Sequence, residues 1–115
     1  MHSPNLQIQS LLLGGLSAGM MLSASAAEPT AAGLEFFEKK VRPVLVERCF
    51  ECHSTTAKVK GGLSLDSREA IFTGGDSGPS VVAGDPEKSK LIEAITYKNQ
   101  DLQMPPKSPL TAAEQ

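Results

Sequence analysis

Two cysteines three positions apart with a histidine directly behind, Arg48-Cys49-Phe50-Glu51-Cys52-His53, constrain this chain more than any other stretch. They are its only cysteines, so whatever chemistry the motif performs uses one dithiol and one adjacent imidazole. Structural zinc takes four ligands, usually as two pairs. Here the second pair is missing, and the neighbouring side chains of Cys52 and His53 diverge. A thioredoxin-like dithiol stands at a helix N-terminus after a strand, whereas the residues before Cys49 carry a helical pattern. A disulfide over so short a loop would restrict the unfolded chain very little.

A covalently attached haem uses every residue of the motif. Thiols at i and i+3 leave one side of a turn and add across the two vinyl groups of a porphyrin, while His53 offers an imidazole to the iron; C-x-x-C-H is the attachment signal of c-type haem. The expectation is therefore one haem c, with Cys49 and Cys52 as its covalent thioether anchors and His53 as an axial iron ligand. Met104, in Leu102-Gln103-Met104-Pro105-Pro106, supplies the opposite axial ligand in this reading. Pro105 steers Met104 away from helical backbone into an extended strut, and the segment is too polar for a methionine serving only as core filler. Lys98, Lys107 and Tyr97 are the substitutes, none of them comparably placed. Closure of both axial positions by His and Met favours a low-spin iron that passes electrons over one that binds gases.

Every Lys, Arg, Asp and Glu lies after residue 27. The uncharged segment before it has an apolar run from Leu11 to Leu22 followed by Ala24-Ser25-Ala26, the pattern of a secretory signal with a small-residue cleavage site, although its n-region has no Lys or Arg. The expected organisation is a signal peptide over 1–26, a linker over 27–33 and one domain over 34–115. The mature chain would then keep His53 as its only histidine and Met104 as its only methionine, in the periplasm or an equivalent extracytoplasmic compartment where haem c is attached. With 11 basic and 13 acidic residues the chain has no basic field for nucleic acid or anionic lipid, so neither is an expected partner. Cleavage of the signal would leave no stable membrane insertion.

The remaining pattern is mainly helical. Leu34, Phe37, Val41, Val44 and Leu45 fall near one helical face, with Glu35/Lys39 and Glu38/Arg42 as i,i+4 pairs on the solvated side. Pro43 kinks or restarts that helix. Asp66 and Glu69 have capping-box spacing before a short helix that stops at Gly74-Gly75. Asp85 as N-cap and Pro86 at the first position predict a helix over 86–97 with Leu91, Ile92 and Ile95 as its stripe. Thr111 and Glu114 again have capping-box spacing at the end of the sequence, which suggests a fragment cut at a helix start. Gly75-Asp76-Ser77-Gly78-Pro79 mimics a serine-protease nucleophile segment, but the chain is too short for two β-barrels and its histidine is already committed. No Gly-Lys-Ser/Thr follows for a phosphate loop.

Taken with CFECH and MPP, the segments FFEKKVRPVLVERCFECH, GGLSLDSREAIFTGGDSGPSVVAGDP, SKLIEAI and MPPKSPLTAAE resemble the planctomycete-type cytochrome c domain from about Phe36 to Glu114. The resemblance implies an all-α, class I-like cytochrome c fold whose Gly/Pro-rich loops wrap one haem, bonded to Cys49 and Cys52 and ligated by His53 and Met104. The family's C-terminal helix is incomplete in this chain. Arg68 is a candidate partner for a haem propionate, with a simple surface role as the alternative. The function expected is a haem c electron-transfer module, not an enzyme by itself. Its partners would be a redox protein or further domains of the same chain; the alternatives are the redox relay of a larger exported enzyme and a haem-based ligand sensor.

Overall fold

The computed structural model describes residues 27–115, and the signal-peptide reading of 1–26 lies outside the described residues. Helix α1, Ala31–Phe36, opens on Thr30, whose hydroxyl accepts from the Gly33 N–H at 3.0 Å. It thus begins inside the segment expected to be a linker. The next turn, Phe37–Val41, is a π-helix, and α2 follows over Arg42–Arg48. Pro43 explains the wide turn: it has no N–H to give, and its ring crowds the carbonyl four residues back. The chain answers by sending the Arg42 N–H to the Phe37 carbonyl, five residues back. Lys39 pairs with Glu35, and Arg42 Nε lies 2.8 Å from Glu38, both on the exposed side. Such pairs contribute about 0.3–0.5 kcal/mol each. The opposite side buries Leu45.

Two further helices are short. Helix α3, Arg68–Thr73, is capped by Ser67, whose hydroxyl accepts from the Ala70 N–H at 3.1 Å. The expected cap, Asp66, is engaged elsewhere: it accepts from the Thr55 N–H at 2.7 Å, from the Thr55 hydroxyl at 2.6 Å, and from the Ser64 hydroxyl. Helix α4 covers Lys90–Ile95, not 86–97. Asp85 does accept from the Lys88 N–H at 3.1 Å, but the turn it closes goes no further. Ser89 has extended backbone (ψ 110°), donates its hydroxyl to the Asp85 carbonyl at 2.8 Å and accepts from the Val82 N–H at 2.9 Å. A side chain that offers the backbone these alternatives breaks the helix. No strand forms among the described residues; His53 with Val59 and Gly75 with Gly78 make isolated bridges. The architecture is all-α.

The apolar core is small: Leu45, Leu65, Ala94, Ile95 and Leu110 are its buried members. Long loops fill the rest, and four buried serines tie them. Ser54 donates to the Phe50 carbonyl at 2.7 Å, and Ser80 to the Ile71 carbonyl. No buried side-chain polar atom among the described residues lacks a partner, which is what loops packed beside so little apolar surface require. Backbone bonds fasten the glycine-rich loop on both sides, from Asp76 N–H to the Gly61 carbonyl and from Leu91 N–H to the Ser80 carbonyl, each 2.9 Å. The loop is thereby held as one wall of a cleft.

Candidate functional site

Cys49, Cys52, His53 and Met104 line a single cleft of about 310 Å³, within the range typical of cofactor sites, roughly 300–1,000 Å³. The first three come from one turn. Helix α2 ends at Arg48, the Cys49 N–H still reaches the Leu45 carbonyl at 3.0 Å, and then Cys52 and His53 both send their N–H groups to the Cys49 carbonyl, at 3.1 and 3.0 Å. This tight turn brings both thiols and the imidazole to the same wall. Burial pushes the Cys49 thiol up, against a smaller downward pull from the Arg48 guanidinium.

His53 is half-buried, and its Nδ1 lies 3.3 Å from the Leu63 carbonyl. A carbonyl only accepts, so this contact places a ring proton on Nδ1; in the neutral ring Nε2 then carries the free lone pair, the tautomer a metal ligand needs. Leu63 is in turn fixed by the local ladder: Lys60 N–H bonds the Cys52 carbonyl and Leu65 N–H the His53 carbonyl, both 2.9 Å. Leu63 and Leu65 then present apolar surface to the cleft.

Met104 reaches the cleft from another element. Its N–H donates to the Ala94 carbonyl at 3.1 Å, which seats the methionine strut on the end of α4. The Tyr97 hydroxyl bonds the Pro105 carbonyl and ties the strut, and Tyr97 does not line the cleft. Lys98 and Lys107 are exposed and do not line the cleft. Leu91, Ala94, Ile95 and Leu102 complete the apolar wall.

The charges at the cleft are all of one sign: Arg48, Lys60 and Lys90, with no carboxylate among the lining residues. Arg68 is not one of them. Its guanidinium stacks over Phe72, 4.9 Å from the ring centroid, on exposed surface. The donor chemistry fits a haem: two thiols, an imidazole and a thioether lining one cleft, with apolar walls and cations for its two carboxylates. The Leu63 carbonyl and the Tyr97 tie escaped the sequence reading because nothing in a residue's type announces a backbone carbonyl's partner. Arg48 escaped it for another reason, since its partners lie 60 to 66 positions away.

The tail also meets the site. Glu114 accepts from the Thr111 N–H at 2.7 Å, half of the expected capping box, and pairs with Arg48 at 3.0 Å. Its carboxyl is held below the usual carboxylate range, first by the Thr111 N–H and hydroxyl and then by Arg48. No helix among the described residues is long and apolar enough to cross a membrane.

The family model for Planctomycete cytochrome C matches residues 49–108, just over half of the chain, from the first cysteine to beyond the methionine strut. No curated protein and no solved structure matches.

Proposed function

The chain belongs to the planctomycete cytochrome C family, and from that premise we propose that it is an exported electron-transfer module holding one covalent haem c in a class I-like cytochrome fold. The observation that carries this reading is the meeting of Cys49, Cys52, His53 and Met104 on one acid-free cleft, although Met104 is far from the other three in sequence. When bound, the haem supplies a one-electron iron couple. Cys49 and Cys52 would fix it to the chain by thioether bonds. His53, with its Nδ1 on the Leu63 carbonyl, and Met104 would be the iron's ligands; a sulfur ligand would raise the potential. Leu63, Leu65, Leu91 and Ile95 would keep water from the metal, and Lys60 and Lys90 would suit the haem carboxylates. The uncharged leader with Ala24-Ser25-Ala26 supports export, where a redox protein or further domains of the same chain would exchange electrons.

The test is expression in a host with cytochrome c assembly machinery. The protein is expected to gain the mass of one haem, to resist thiol alkylation, and to show the weak near-infrared sulfur-to-ferric-iron band, which Met104→Ala abolishes. Colourless protein with two alkylatable thiols would end the haem reading. A band unchanged in Met104→Ala would remove that residue from the iron.

A further inference from the structure

Arg48 joins the two halves of the site. Its Nη1 donates to both carboxylate oxygens of Glu114, at 3.0 and 3.2 Å, and its Nη2 to the Ser108 carbonyl and hydroxyl, at 2.9 and 3.1 Å, and to the Pro109 carbonyl at 3.3 Å. Arg48 and Glu114 are each 23% exposed, whereas the Lys39–Glu35 and Arg42–Glu38 pairs are all above half. A surface pair of the latter kind contributes little. A forked, part-buried guanidinium with five short contacts fixes geometry as well as charge. Arg48 is itself the last residue of α2 and the neighbour of Cys49.

The strut carrying Met104 is therefore held from both ends by different elements. Upstream, Ala94 and Tyr97 of the α4 end hold Met104 and Pro105. Downstream, only Pro106 and Lys107 separate Pro105 from Ser108, where Arg48 takes hold. Proline limits the slack between the two grips. We infer that Arg48 is a positioning residue for the axial methionine: it clamps the Ser108–Glu114 segment to the end of α2, directly before the turn that carries Cys49, Cys52 and His53, and so keeps Met104 facing His53. This rests on the reading of Met104 as an iron ligand. With the clamp removed, the strut hangs from α4 alone, and an external ligand displaces the thioether more readily.

The experiment is a spectroscopic titration of the ferric holoprotein with imidazole, followed at the Soret band in every protein and also at the near-infrared band wherever Met104 is present, in wild type, Arg48→Met, Glu114→Ala, Met104→Ala and Ser67→Ala. Ser67→Ala loses the α3 cap, away from the strut, and serves as a variant lowered in stability only. Arg48→Met is expected to bind imidazole about tenfold more tightly than wild type, the factor that corresponds to about 1.4 kcal/mol. Glu114→Ala should shift the same way by less, since Ser108 and Pro109 still hold Arg48, and Ser67→Ala should not shift. Arg48→Met and Glu114→Ala both within about twofold of wild type, or Ser67→Ala shifted as far as they are, would overturn the clamp. Should Arg48→Met take up no haem, Glu114→Ala decides alone. Met104→Ala separates the premises: imidazole affinity equal to wild type discards the methionine ligand itself, whereas raised affinity keeps it and leaves the clamp to the other variants.

Discussion

Gly74→Ala is the sharpest structural perturbation, because two separate penalties meet at one position. Gly74 has φ +77° and ψ −160°, a region essentially confined to glycine and costing of order 1–3 kcal/mol for other residues. An alanine Cβ there would also fall 2.0 Å from the Gly78 carbonyl oxygen and 2.6 Å from the Gly78 carbonyl carbon and the Pro79 Cα. All three are backbone atoms, so no rotamer change relieves the contact; the Gly75–Gly78 turn must open, at about 1–3 kcal/mol more by the usual cost of overpacking. The sum, about 2–6 kcal/mol, compares with about 4–13 kcal/mol of total stability for a domain of this size. Gly61→Ala is the matched control. Gly61 has φ 62° and ψ 23° with nothing within 4 Å of an added Cβ, so only the left-handed penalty of about 1–2 kcal/mol applies. Thermal unfolding of holoprotein should place Gly74→Ala at least about 8 °C below wild type, with Gly61→Ala between them. Because the turn contributes Gly75, Ser77 and Gly78 to the cleft, the near-infrared band should disappear at a lower denaturant concentration in Gly74→Ala than in wild type. Equal midpoints for the two variants would refute the backbone collision.

Asp66 predicts an acid limb. Its carboxyl is held at about 2, below its ordinary 3.8, first by the Ser64 hydroxyl and then by the Thr55 hydroxyl and N–H. A carboxyl whose folded pKa is depressed stabilises the protein above its unfolded pKa and loses that contribution as pH falls through the folded one. Wild-type melting temperature should therefore drop between about pH 4 and 2, and Asp66→Asn should start lower at neutral pH and flatten that drop; parallel curves for the two proteins would count against it. Leu65, 3% exposed and lining the cleft, should cost about 2–5 kcal/mol on truncation to Ala, measured by denaturant unfolding of the holoprotein; a loss below about 1 kcal/mol would mean that the wall collapses to fill the space.

The C-x-x-C-H signal, the helical face from Phe37 to Leu45 and the exposed i,i+4 pairs were legible without coordinates because each depends on neighbours within one or two turns; Leu34, expected on that face, is instead 50% exposed. The register of short helices was not. Asp66 looks like a cap by spacing, but Thr55 and Ser64 take its carboxylate and hand the cap to Ser67. Asp85 and Pro86 announce a helix that the Ser89 hydroxyl then cuts, leaving α4 to begin at Lys90. In both cases a polar side chain chose between near-equal partners: Thr55, eleven positions back, settled the first, and Asp85 and Val82, four and seven positions back, the second.

Residue order alone determined which donor groups this protein owns: two thiols, an imidazole after them, and a thioether ahead of two prolines. Tertiary structure alone decided that these groups share one cleft, that Leu63 fixes the imidazole tautomer, and that Arg48 reaches across to Glu114 and Ser108. The reason is physical. Donor identity is written in the covalent chain, whereas convergence depends on loop closures over long sequence separations, whose entropic cost is met only when packing and hydrogen bonds form together.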